Sequence, residues 1–138
     1  MDKNLKKGLI MEDKTILVIE DNEINMKLIR AFLQIGKYRI LEARDAETGI
    51  RMVREQHPDL ILMDIQLPGI DGLSAAQLIK SDPDLKKIPI IAVTGNAMHI
   101  DKEEAMDIGF VGYLLKPFSI EVFLETISDF FKNQQAEK

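Results

Sequence analysis

The sequence predicts an α/β fold: a doubly wound, five-stranded parallel sheet with helices on both faces; the order 2-1-3-4-5 is taken from known sheets of this class. Three observations predict the fold class. Short, β-branched apolar runs alternate five times with segments of helical periodicity. The runs are nearly continuous in apolar residues, as in strands covered on both faces. Strict alternation of strand and helix requires crossover connections, which are right-handed in a parallel sheet.

The elements follow in order. Thr15-Ile-Leu-Val-Ile19 is the first strand. Residues 23–35 carry Ile24, Leu28, Ile29 and Phe32 at helical spacing, and Gly36 is placed to close that helix as its C′ residue. Arg39-Ile-Leu-Glu-Ala43 reads as a second, less buried strand. Asp45 caps a helix whose inward face is Ala46, Gly49, Ile50 and Val53, and Pro58 ends the turn after it. Leu60-Ile-Leu-Met63 is the third strand, with Asp64 at its carboxyl end. Gln66-Leu-Pro-Gly-Ile-Asp-Gly72 is dense in turn residues and leads to a helix from Leu73 to Lys80. Ile88-Pro-Ile-Ile-Ala-Val93 is the fourth strand, ending at Thr94. A weaker helix over residues 100–108 stops at Gly109, and Gly112-Tyr-Leu-Leu115 is the fifth strand, ending at Lys116-Pro117. Ser119 caps a last helix with the stripe Ile120, Phe123, Leu124, Ile127 and Phe130.

The 138 residues fit one domain, predicted over 14–132, with a flexible N-terminal tail over 1–13 and a C-terminal tail over 133–138. The formal net charge of -5 argues against direct nucleic-acid binding, which needs a basic surface. Without cysteine there is no disulfide, thiolate metal site or thiol nucleophile. No stretch approaches the roughly 18 apolar residues of a membrane span, so membrane insertion is not expected and the cytoplasm is the default location.

In doubly wound sheets the functional site lies beyond the carboxyl ends of the strands. Those ends carry Glu20-Asp21, Asp64, Thr94 and Lys116. In the predicted order, strands one, three, four and five are neighbours, so these side chains should converge on one pocket. Three carboxylates in a small site repel one another, and a hard divalent cation such as Mg²⁺ relieves that repulsion. A lysine and a hydroxyl opposite the acids suit the remaining oxygens of a phosphoryl group. Metal, cation and hydrogen-bond donor around a carboxylate nucleophile are the equipment of phosphoryl transfer.

The segments Ile19-Glu-Asp-Asn22, Leu62-Met-Asp-Ile-Gln-Leu-Pro68 with Asp71-Gly72, Ala92-Val-Thr-Gly95 and Tyr113-Leu-Leu-Lys-Pro-Phe118 resemble the response regulator receiver family of two-component systems, a flavodoxin-like fold. The resemblance spans about residues 14–131. Any one motif is weak; all of them in order, each at a predicted strand end, are specific. Glu20-Asp21-Asn22 with Asn25 is most similar to receivers of hybrid histidine kinases and to single-domain regulators of the DivK type. The resemblance implies Asp64 as phosphoacceptor, with Mg²⁺ held by Asp21, Asp64 and the main-chain carbonyl of Gln66, and by Glu20 through water. It further implies that Lys116 pairs with the phosphoryl group, that Thr94 and Tyr113 form the switch, and that Lys116-Pro117 is a cis peptide. Gln66 and Asn96 flank the phosphoryl site and are candidates for tuning its lifetime. The implied donor is a histidine kinase or histidine phosphotransfer protein. The implied output is a downstream protein bound by the face over residues 97–131, from a monomer or weak dimer.

Alone, Asp64 would be read as a turn former or helix cap; Glu20, Asp21, Thr94 and Lys116 at the other strand ends favour the phosphoacceptor reading. Asn22 and Asn25 are read equally as helix caps or as neighbours of the site. His57 and His99 lie in unrelated contexts and form no site, and Phe118 and Phe131 are candidate exposed partner contacts. Rival functions share the fold or the chemistry. An aspartyl-phosphate hydrolase needs a second acid two residues after the nucleophile, where Gln66 stands. A flavin mononucleotide carrier needs a phosphate loop where Glu20-Asp21-Asn22-Glu23 would repel phosphate. A phosphorylation-independent pseudo-receiver, and a receiver excised from a hybrid histidine kinase, remain the alternatives to a stand-alone phosphorelay protein.

Overall fold

The five apolar runs pair into one sheet of order β2-β1-β3-β4-β5 with every neighbouring pair parallel. The structure, a computed structural model, describes residues 13–65, 72–95 and 102–136. The strands are β1 (Thr15–Ile19), β2 (Arg39–Ala43), β3 (Leu60–Asp64), β4 (Ile90–Thr94) and β5 (Phe110–Leu115). The helices are α1 (Glu23–Ile35), α2 (Ala46–Gln56), α3 (Gly72–Ser81), α4 (Lys102–Ile108) and α5 (Ile120–Ala136).

Alternating strand residues feed two cores. Leu17, Ile19, Ile61, Met63, Ile90 and Ala92 pack under α2 and α3. Ile16, Val18, Leu60, Leu62, Ile91 and Val93 pack under α1 and α5, with Phe123, Leu124, Ile127 and Phe131. Each such side chain taken from water contributes roughly 1.5–3 kcal/mol before entropy is counted, so the central strands are the rigid base on which the strand ends are displayed. Asp45 and Ser119 cap as expected: Thr48 N–H donates to Asp45 Oδ1 at 2.7 Å and Val122 N–H to Ser119 Oγ at 3.1 Å.

Several expectations are corrected. Gly36 is not left-handed; its φ is -77°, and Lys37 takes the positive φ of 64°. Gly36 is needed for space instead, because a Cβ there would lie 2.7 Å from the Tyr38 ring. In α1 the inward stripe is Met26, Ile29 and Leu33, whereas Ile24 is 79% exposed and Leu28 44%. β4 begins at Ile90 rather than 88, because the Ile88 N–H bonds Leu85 O and the Ile88 carbonyl accepts from Lys80 Nζ. β5 begins two residues early, at Phe110, across a register shift that makes Val111 an extra residue. Phe131 is buried at 1% exposure beside the tilted ring of Tyr38, so it is no exposed partner contact; Phe118 is half-buried against Phe32 and Phe123. α5 runs on to Ala136, through the segment expected as a tail from 133. The rest of the tails, residues 1–12 and 137–138, lie outside the described residues, as do 100 and 101 of the expected fourth helix.

Candidate phosphoacceptor site

Each site residue is placed by the end of a strand. Glu20 follows β1 and is held there by its N–H, which donates to Ala43 O on β2 at 3.0 Å. Asp64 is the last residue of β3, and the next N–H, of Ile65, donates to Val93 O at 3.2 Å. Thr94 closes β4, and its carbonyl accepts from Lys116 N–H at 2.7 Å, which sets Lys116 beside it at the end of β5. Gly72 opens α3 against the back of Asp64: a Cβ there would lie 2.6 Å from the Asp64 carbonyl oxygen, so the loop returns this closely only with glycine. The Lys116–Pro117 peptide bond is cis.

The sheet thereby brings together what is scattered in the chain. Carboxylate oxygens of Glu20, Asp21 and Asp64 lie within 4.8 Å of one another. Glu20 and Asp64 are buried, at 1% and 6% exposure, whereas Asp21 is exposed. Lys116 Nζ donates to Glu20 Oε1 at 3.0 Å and stands 3.5 Å from Asp64 Oδ2. Burial, together with the hydrogen bond to Asp64, pushes the Glu20 carboxyl from 4.5 up to about 7, against the pull of Lys116. One ammonium cannot balance three carboxylates. The donor set is all oxygen and clustered, which fits Mg²⁺ with Asp21, Asp64 and Glu20 as the side chains that would hold it.

Thr94 is fully buried at the strand end and Tyr113 is 41% exposed on the edge strand β5. Gln66 and Asn96 lie outside the described residues, as do Asp71 and His99. Asn22 is a helix cap, its Oδ1 accepting from Asn25 N–H at 2.9 Å. Asn25 instead lines a groove of ≈ 420 Å³ with Leu28, Ile29, Gly95, Lys116, Pro117 and Phe118. Sequence reasoning missed this groove. Its signal was Leu28, which fits helical spacing yet lies outside the buried stripe of α1.

The profile of the response regulator receiver domain matches residues 16–128. The chain belongs to the response regulator receiver family. It is 43% identical over 117 residues to the polar-differentiation response regulator DivK of Brucella ovis, an alignment covering 85% of this chain and 95% of that protein. Among solved structures it resembles a receiver domain of a Pseudomonas aeruginosa sensor histidine kinase, which has a magnesium ion coordinated in its active-site cleft. The TM-score is 0.75 at 37% identity, over 84% of this chain and 94% of that one. It also resembles the Saccharomyces cerevisiae Ssk1 receiver domain in complex with the histidine phosphotransfer protein Ypd1, with TM-score 0.78 and 26% identity over 87% of this chain and 90% of that one. The chemotaxis regulator CheY4 of Vibrio cholerae shares the fold at TM-score 0.78 and 23% identity, covering 84% and 97% of the two chains. The receiver family is a phosphoacceptor switch of two-component signalling rather than a classical enzyme.

Proposed function

We propose that this receiver is a stand-alone phosphorelay protein that accepts a phosphoryl group from phosphohistidine onto Asp64. The observation that carries the reading is the convergence of Glu20, Asp21 and Asp64 with Lys116 at the strand ends. An Asp64 carboxylate oxygen attacks phosphorus in line, the P–N bond to the donor imidazole breaks, and the ring nitrogen leaves with the bond's electrons. The product is an acyl phosphate. Lys116 offsets charge on the phosphoryl oxygens, and its present bond to Glu20 holds it at the mouth of the site. Asp21, Asp64, Glu20 and the main chain of Gln66 would hold Mg²⁺, which would supply the remaining charge neutralisation.

The Thr94 hydroxyl then bonds a phosphoryl oxygen, and Tyr113 turns inward into the space it leaves, shifting the equilibrium of a two-state surface. Hydrolysis of the acyl phosphate, at a rate tuned by Gln66 and Asn96, resets it; the chain catalyses nothing beyond its own phosphorylation and dephosphorylation. The donor is a histidine kinase or histidine phosphotransfer protein, a reading supported by the partner in the Ssk1 complex. The target is a protein that meets the 97–131 face, where Met106, Val111, Tyr113, Leu115 and Val122 are exposed. No described helix is long and apolar enough to cross a membrane, in keeping with work in the cytoplasm.

The test is labelling with acetyl phosphate in Mg²⁺, resolved on a phosphate-affinity gel, beside the Asp64→Asn protein. A hydroxylamine-labile band is expected in the wild type, lost on chelation and absent from the variant. A band that persists in Asp64→Asn overturns the site. No transfer from either acetyl phosphate or a phosphorylated histidine phosphotransfer protein makes the chain a phosphorylation-independent scaffold.

A further inference from the structure

The other end of the sheet carries a second concavity, one the phosphoacceptor chemistry does not use. It measures ≈ 600 Å³ and lies where the start of β4 and β5 meets the distal half of α5. That volume is within the usual range of small-molecule sites, roughly 300–1,000 Å³. Its floor is Ile91, Val111, Gly112 and the half-buried ring of Phe130.

Two backbone features shape it. The register shift at Ile90/Ile91 makes Val111 an extra residue and turns the edge strand locally. Gly112 then leaves the floor open: a Cβ there would meet only Ile91 Cγ1, at 3.9 Å, and the backbone is one any residue adopts. Glycine inside a strand weakens it and frequently marks a close approach by something else. Here no packing demand requires it, in contrast to Gly72. The rim is chemically asymmetric. Lys87, from the turn before β4, is exposed, and Asp129 and Asn133 come from α5. Lys80 already donates to the carbonyls of Lys86 and Ile88 at 3.0 and 2.8 Å, so Lys87 is the lysine of the rim suited to an incoming anion.

We propose that this concavity binds a planar, nitrogen-containing heteroaromatic ring bearing an anionic group, the chemistry of a nucleoside monophosphate. The ring lies over Gly112 beside Phe130, its N–H edge faces the Asp129 carboxylate and the Asn133 amide, and the anion pairs with Lys87.

The experiment titrates the full-length ¹⁵N-labelled protein with guanosine and adenosine 5′-monophosphates, and with guanosine as the ligand lacking the anion. Saturable shifts of the Val111, Gly112 and Phe130 amides are expected with at least one nucleotide. Gly112→Val, which fills the floor, should weaken binding by about tenfold or more, and the exposed Lys87→Ala should weaken the nucleotide several-fold while leaving guanosine unchanged. The Lys87 variant keeps the test decisive if Gly112→Val disturbs β5. Shifts confined to the Asp64–Lys116 end, no saturable shifts with either nucleotide, or binding unchanged by both substitutions overturns the proposal.

Discussion

The two ends of one sheet treat charge in opposite ways. At the amino end Asp59 Oδ2 accepts from Thr15 N–H at 2.7 Å, and Lys80 serves two carbonyls. Each of these charges satisfies a backbone group that strand and turn leave over, and each stabilises the fold. At the carboxyl end the buried carboxylates of Glu20 and Asp64 share the Lys116 ammonium, with the exposed Asp21 carboxylate close by. There the fold holds groups whose mutual repulsion opposes folding until something cationic arrives. Charges that support the backbone and charges that oppose one another are thus separated by the length of a strand.

Removing a carboxylate should therefore have opposite signs at the two ends, and the largest effect is expected at Glu20. Its folded-state pKa, about 7, is above the ordinary 4.5, so its contribution to stability is intact below 4.5 and is lost as pH rises through 7. In chelator, urea unfolding of the wild type should show stability falling over this window, and Glu20→Gln should flatten the profile and be the more stable protein at about pH 8. A wild-type profile already flat across that window breaks the comparison. Asp59→Ala should instead destabilise by about 1–2 kcal/mol at neutral pH, because Thr15 N–H loses its acceptor; the same urea titration reads it.

The smallest effect sharpens the exception at the amino end. The Tyr38 hydroxyl is buried with no hydrogen-bond partner among the described residues, and burial pushes its pKa up. Tyr38→Phe removes that unsatisfied group while keeping the ring against Phe131, so a gain of up to about 1 kcal/mol in thermal unfolding is expected. A loss instead would mean that the hydroxyl is hydrogen-bonded in solution.

Much of this was legible beforehand because periodicity and chemistry pointed the same way. The β-branched runs predicted strands, of which β1, β3 and β4 are indeed buried, and the strand-end rule placed Glu20, Asp21, Asp64 and Lys116 together before any distance was known. Other features had no local signal. Ile24 and Phe32 look alike by spacing, yet Phe32 packs against the rings of Phe118 and Phe123 while Ile24 is left exposed. Phe130 and Phe131 are adjacent, and which of them is buried depends on the rotation of α5 over Tyr38.

The sequence by itself determined the alternation of elements, the parallel doubly wound sheet and the identity of the residues at the strand ends. These follow from short-range periodicity and from crossover rules that leave few topologies open. Only the tertiary structure decided that Lys116 leans closer to Glu20 than to Asp64, that Gly36 and Gly72 serve close contacts, and that a Cβ at Gly112 would meet only Ile91. Those are distances between residues far apart in the chain, and no local pattern of residue types encodes a distance across a packed sheet.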